Sequence, residues 1–271
     1  MAVGKSLRAL LMHKAIRRQW NLFKIFSDWW IYYAAKIGLA QRESMLFFTR
    51  RGVSIEVPRR LYPEFKSIFL RQHYLEGLVL PLRKQPIVVD IGANVGFFSL
   101  FAASEWGAEV FAYEPLQANY EELLRNVRRN PHLRINCRRM AVFGVPGPVI
   151  IYRDPATSLA ADATLYPSRQ KTKGEEVEAV TLKDIFEREG LAEVDLVKMD
   201  CEGSEFSILS GSDREVLARI GQMAVEVHPD LALGDHNADG LKEFLSGVGF
   251  IVETDDEGSY LWARRKEGHK E

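Results

Sequence analysis

Cysteine is scarce in this chain of 271 residues: there are two, Cys137 and Cys201, and they lie far apart. Such usage argues against a disulfide framework and against a zinc site, and it fits a reducing, cytoplasmic setting. An excess of either charge is missing as well, with 36 basic residues against 37 acidic ones, so the overall balance gives no support to nucleic-acid binding. No apolar run reaches the roughly 18 residues of a bilayer span. The first residues lack a continuous apolar segment followed by small residues at a cleavage site, so no secretory signal is expected. Internal repeats and low-complexity segments are absent. What is present is a hydrophobic content of 46%, enough to bury one full core and carry an extension. The expected division is an N-terminal helical extension over 1–49 and a main domain over 50–271.

In the extension, Leu7, Leu11, Ile16, Trp20, Phe23, Trp30, Tyr33 and Ile37 recur mostly at three- and four-residue intervals, among Lys5, Arg8, Lys14, Arg17, Arg18 and Lys24. A basic, aromatic, amphipathic segment of this kind can pack on the main domain, make a homodimer contact, or rest on an anionic membrane surface. Residues 50–86 read as an entry module, with a strand at Ser54–Val57 ended by Pro58 and a helix from Glu64 to Leu80 before Pro81. From Ile87 onward apolar strands alternate with amphipathic helices, including one strand over Ile135–Val142, and this predicts a mostly parallel sheet covered by helices on both faces. The alternation breaks over 144–180. Strands at Val149–Arg153 and Glu176–Val180 flank a loop from Asp154 to Lys173, an inserted hairpin or lid in which Ser158, Asp162, Thr164, Arg169 and Lys171 are candidate substrate contacts.

The most informative segment runs from Val88 to Leu100, where an apolar strand gives way to Asp90, Gly92 and Gly96 before a helix resumes. Glycine lets backbone approach a ligand closely, and a helix beginning near Phe97 directs free N–H groups to the same place. The spacing differs from the Gly-x-Gly-x-x-Gly of dinucleotide turns. Asp90 also repels a phosphate and can accept from an ammonium group, such as that of S-adenosylmethionine. The following strand ends at Glu114, about two dozen positions later, where a carboxylate can bridge two ribose hydroxyls. An adenosyl ligand fits both.

Two further strands end in acid. The first leads into Asp200, Glu202 and Glu205, with Glu205 expected to cap or begin the next helix. The second places Glu226 and His228 on one side of an extended segment. With Asp200 and Glu202 they form a candidate catalytic centre. A carboxylate or imidazole there can accept a hydroxyl proton, or two carboxylates and His228 can hold a hard divalent ion such as magnesium; the residue pattern leaves both open. Cys201 reads as small apolar packing. His13, His73, His132, His236 and His269 have no spacing that nominates a shared metal site.

Asp90-Ile91-Gly92-Ala93-Asn94-Val95-Gly96-Phe97-Phe98-Ser99, Tyr113-Glu114-Pro115, Thr181-Leu182-Lys183-Asp184 and Lys198-Met199-Asp200-Cys201-Glu202-Gly203-Ser204-Glu205 together resemble the FkbM family of S-adenosylmethionine-dependent methyltransferases. The resemblance runs from about Arg50 to the end. It implies a Rossmann-like class I α/β fold, a seven-stranded sheet with an antiparallel last strand, and O-methylation of sugars or other secondary metabolites. Carried over by position, Asp90, Gly92, Asn94 and Gly96 match the loop around the methionine moiety, Glu114 the ribose-binding acid, and Met140 and Ala141 the backbone beside adenine. Asp200 and Glu202 match the signature acids, and Glu226-Val227-His228 matches a Glu-x-His. The acceptor is then a small molecule or glycan, lipid-linked saccharides included, with no nucleic acid. Protein or RNA methylation and a non-catalytic, cofactor-binding docking module remain as alternatives, though no Asn-Pro-Pro-Tyr-type motif or appended nucleic-acid domain supports the former.

Overall fold

The structure is a computed structural model that describes residues 15–37, 42–160, 162–165, 168–228 and 237–266. The sequence readings at Lys5, Leu7, Arg8, Leu11, His13, Lys14, His236 and His269 lie outside these residues. Two helices open the described chain, α1 (15–25) and α2 (Trp30–Lys36), followed by an antiparallel hairpin of β1 (Ser44–Phe48) and β2 (Ser54–Pro58). Helix α3 (Tyr62–Phe65) continues into wider π-type turns at Lys66–Arg71. The alternating region then contributes β3 (Ile87–Ile91), α4 (Phe97–Trp106), β4 (Glu109–Tyr113), α5 (Gln117–Arg128) and β5 (Arg134–Arg138). After β6 (Ala141–Val142), β7 (Gly147–Arg153) and β8 (Lys173–Val180) come α6 (Leu182–Arg188), β9 (Val194–Met199), α7 (Glu205–Ser210), α8 (Arg214–Leu217) and β10 (Ile220–Glu226). Helix α9 (Ala238–Gly247) and strands β11 (Phe250–Thr254) and β12 (Tyr260–Arg265) complete the order.

Seven strands form one sheet in the order β11-β12-β10-β9-β3-β4-β5. All neighbours are parallel except the last strand, β12, which is antiparallel to both β10 and β11. The expected fold class and antiparallel final strand are therefore both present. Strand β3 lies inside the sheet, between β9 and β4, and its Val88, Val89, Asp90 and Ile91 are all buried, as a strand covered on both faces requires. Its successors β4 and β9 lie on opposite sides of it, so the sheet changes direction of winding at β3. A crevice opens at such a point beyond the carboxyl ends of the strands.

Three sequence expectations differ from the structure. The helix read over Glu64–Leu80 stops at Arg71, because Gln72 takes a left-handed conformation (φ 58°) and a short turn at His73–Leu75 follows. The Trp262 indole holds this break: its Nε1 donates to Tyr74 O at 2.9 Å, and a Cβ on Gly77 would lie 2.5 Å from the ring. The single strand read over Ile135–Val142 is two, since β5 ends where Glu114 N bonds Arg138 O, and β6 leaves for a separate sheet of order β6-β8-β7. The helical extension expected over 1–49 contains a strand, β1, which pairs with β2.

Leu22, Ile25 and Phe26 of α1 and its end pack with Phe47, Phe65, Phe69, Val95, Phe97, Leu100 and Phe101, an aromatic layer that rests on α4. Asn126 and Asn130 of the α5 region bond the backbone of β2 and clamp the hairpin to the main sheet's helices. Among the described residues no helix is long and apolar enough to cross a membrane.

Candidate active site

The turn after β3 is built around two close approaches. Gly92 has φ 71°, and a Cβ there would lie 1.8 Å from Asp200 O, so only glycine lets the end of β3 press on the end of β9. Gly96 has φ 88°, with Leu123 occupying the place of its missing side chain. Between them Asn94 is left-handed (φ 51°), its N–H donates to Glu114 Oε2 at 2.8 Å, and its buried Oδ1 has no protein partner. Glu114 Oε1 accepts from Leu116 N at 3.0 Å. Burial raises the Glu114 carboxyl to about 7 against the pull of these backbone bonds. Each Glu114 oxygen is thus fixed by one backbone N–H, the Asn119 side chain also bonds the carboxyl, and acceptor capacity remains for a further donor.

Beneath the turn lies a buried ion cluster. Asp90, fully buried, accepts from Ser99 Oγ at 2.6 Å and has the Lys198 ammonium 3.3 Å from its other oxygen. Lys198 Nζ donates to Gly92 O at 2.8 Å and lies 3.6 Å from Asp200. Burial opposes its charge, and Asp90 and Asp200 override burial and raise it to about 12. Lys198 therefore stays charged and joins the cofactor turn to the acidic turn.

At the acidic turn Glu202 is left-handed (φ 55°) and Gly203 has φ 102°. Glu205, the first residue of α7, accepts from Cys201 N and Gly203 N at 3.1 and 3.0 Å, so its carboxylate holds the turn from within. The same carboxylate bonds His228 Nδ1 at 3.2 Å, which turns His228 Nε2 toward Glu202 at 3.5 Å and Asp200 at 3.8 Å. Burial lowers the imidazole, but the Glu205 bond with the charges of Asp200 and Glu202 outweighs it, leaving His228 raised to about 10. Glu202 is raised to about 7 by burial against the pull of His228. Asp200, Glu202 and His228 are the group of potential metal ligands found among the described residues, their ligand atoms all within 4.8 Å of one another. Cys201 is half-buried with its thiol pushed well above its ordinary range by burial and by Glu205, which suits packing and no nucleophilic role.

Two cavities meet here. One is lined by Gly92, Asn94, Glu114, Met140, Ala141 and Asn119, with Ala160, Ala163, Thr164 and Leu165 of the insertion over it. The other, of about 370 Å³, is lined by Glu64, Ser67, Arg71, Tyr74, Glu226 and Tyr260, with Asp162 at its edge. Asp200 and Glu202 belong to both. In the second cavity the Tyr74 hydroxyl lies 2.9 Å from Asp200 Oδ2 and also bonds Glu226 Oε2. Burial and the Asp200 charge raise Glu226 to about 7.

Of the residues read from sequence, Gly92, Asn94, Glu114, Met140, Ala141, Asp200, Glu202 and Glu226 reach these cavities. Asp90, Gly96, Phe97 and His228 line neither. Asp90 is taken by Ser99 and Lys198, and the Phe97 ring lies 5.7 Å from Phe65 in the aromatic layer. Thr164 and Asp162 line the cavities and Lys171 pairs with Asp162 at 3.5 Å, while Ser158 and Arg169 line neither. Thr181-Leu182-Lys183-Asp184 is a reciprocal capping box that starts α6. Tyr74, Tyr260, Asn119 and Lys198 join the site without a local sequence signal: Lys198 gains its role only where β9 lies beside β3, and Tyr74 comes from the broken helix.

A family model described as the methyltransferase FkbM domain matches residues 90–252. Among curated proteins, the chain is 32% identical over 216 residues to the 31-O-demethyl-FK506 methyltransferase FkbM of Streptomyces tacrolimicus, covering 69% of this chain and 81% of that one. It is 26% identical to the methyltransferase sdnD of Sordaria araneosa, covering 75% and 89%. A hexuronic acid methyltransferase, AglP, of Haloferax volcanii is 24% identical over 58% of this chain and 62% of its own.

Proposed function

Since the chain belongs to the FkbM methyltransferase family, and is a methyltransferase on that ground, we propose that it transfers the methyl group of S-adenosylmethionine to a hydroxyl of a sugar, glycan, lipid-linked saccharide or secondary metabolite. The observation that carries this reading is the meeting of two cavities at Asp200 and Glu202, one suited to the donor and one facing a carboxylate able to take a proton. The donor fits the residues present: Asn94 Oδ1 is a buried acceptor without a partner, suited to an ammonium group, and Glu114 has acceptor capacity left for a ribose hydroxyl. When bound, the donor supplies a sulfonium-activated methyl group.

Glu226 is the base in this reading. It faces the acceptor cavity, and its pKa of about 7 matches a group that exchanges protons near neutrality. Tyr74 has one hydroxyl proton between Asp200 and Glu226, so it can hold the first while the second accepts the acceptor's proton. His228 is turned toward three carboxylates and, as an imidazolium, offsets part of their charge. Alignment of donor and acceptor across the shared acids contributes the larger part, since orientation in well-ordered systems is worth roughly 7–11 kcal/mol.

A metal reading competes at the same atoms. Glu205 on His228 Nδ1 is the arrangement that frees Nε2 to coordinate a divalent ion beside Asp200 and Glu202. Lys198, a fixed cation 3.6 Å from Asp200, repels a divalent ion more strongly than a singly charged imidazolium. Activity is expected to survive chelation; loss on chelation with recovery in magnesium or manganese assigns the three residues to a metal. The acceptor class is tested with isotopically labelled S-adenosylmethionine and cell extract. Label in carbohydrate, glycan or small metabolites supports the reading, and label confined to protein or RNA overturns it.

A further inference from the structure

Three of the five tryptophans fall within residues 20–30, and they are turned outward. Along α1, Ile16, Trp20 and Phe23 form one stripe opposite the buried Asn21, Leu22, Ile25 and Phe26; Trp20 is 68% exposed. Phe23 meets Trp29 edge-on at 4.9 Å, which carries the apolar surface onto α2, where Trp30 is 59% and Ile37 70% exposed. Large apolar side chains exposed together on neighbouring helices mark a contact surface. Its surroundings are basic. Residues 1–42 hold eight lysines and arginines and a single acid, Asp28, whose carboxylate is buried and accepts from Phe48 N. Lys24, Lys36 and Arg50 are exposed beside the rings.

We infer that this face docks on an anionic phospholipid surface. Tryptophan is the side chain best suited to the interface between headgroup and hydrocarbon. Arg17 is paired with Glu76, and the exposed Lys24, Lys36 and Arg50 supply attraction to anionic lipid. A self-contact is disfavoured by the same charges, because a two-fold interface would set each copy's cations against the other's. The helix that carries the docked face packs by its opposite side on the wall of the acceptor cavity: Asn21 Nδ2 donates to Leu70 O at 2.9 Å and Arg17 bonds Arg71 O, while Ser67 and Arg71 line the cavity. Docking does not depend on the methyl-transfer reading, and it leaves one helix between that cavity's wall and the lipid surface.

The test is co-sedimentation of the full chain with vesicles of phosphatidylcholine alone or mixed with phosphatidylglycerol, with tryptophan fluorescence recorded in parallel. Binding to the mixed vesicles, weakened by salt and accompanied by a shift of emission to shorter wavelength, is expected. Trp20→Ser with Trp30→Ser should abolish it, and Lys24→Glu with Lys36→Glu should weaken it at least about fivefold per site. These side chains are exposed, so an unchanged thermal melt separates lost docking from lost folding. Equal binding to both vesicles, or to neither, overturns the inference. So does a concentration-dependent dimer in light scattering that the tryptophan variant dissolves, since the patch is then a self-contact.

Discussion

Glu226 and Asp200 share the single proton of the Tyr74 hydroxyl, which makes the protonation of this trio the quantity to perturb. Glu226→Gln should lower kcat by about 10²–10⁴-fold and remove a rate limb that rises as pH passes through about 7. An unchanged profile would assign the base elsewhere. His228 predicts a different pH effect, on stability. Its pKa is raised from 6.5 to about 10, so the folded state binds the proton more tightly. The stability it contributes is fully present below 6.5 and is lost as pH rises through about 10; melting curves of His228→Asn should lack that alkaline decline. Gly92→Ala should abolish turnover, because its Cβ meets Asp200 O at 1.8 Å and must push the acidic turn away. At this scale the acids were legible, since four strand ends carry them, at Asp90, Glu114, Asp200 and Glu226. Their partners were not. Lys198 reads as one charged residue among many until β9 is laid beside β3, and only then does it neutralise the buried Asp90.

The loop between β7 and β8 packs Ala160, Ala163 and Leu165 on the apolar cluster of Leu116, Ala141 and Ile151, and polar contacts fix it over the donor cavity. Asn119 clasps Ala160 in both directions, donating to its carbonyl at 2.7 Å and accepting from its N–H at 3.2 Å, and Thr164 Oγ1 donates to Glu202 O at 2.8 Å. Asn119→Ala should weaken donor binding by about 1–3 kcal/mol, seen as a higher KM for S-adenosylmethionine and faster proteolytic cutting within 154–172. Equal KM and equal cutting would remove the clasp from the site. Periodicity recovered the alternating elements because their faces repeat. It failed at Gln72, where a distant Trp262 decides the chain's direction, and at Arg138, where a change of sheet leaves no mark in the local pattern.

At the scale of the molecule, the N-terminal helices are part of the packing that supports the site. Phe26 is fully buried and meets Phe47, Phe65 and Phe69 at 5.4–5.7 Å. Phe26→Ala should cost about 3–5 kcal/mol, measured by urea unfolding; a change below 1 kcal/mol would mean that the layer is dispensable. The sheet order was legible through the motifs of β3, β4 and β9, whereas the N-terminal layer rests on contacts between segments that no motif links. The sharing of Asp200 and Glu202 alone by the two cavities has a consequence for descent. Residues 63–74 and Tyr260, at the start of β12, line the acceptor cavity and not the donor cavity, with Tyr74 bonding the shared Asp200, so a lineage can exchange one molecule it modifies for another by rebuilding that wall. The turn from Asp90 to Gly96 then passes on unaltered, a fixed inheritance beneath a changeable front.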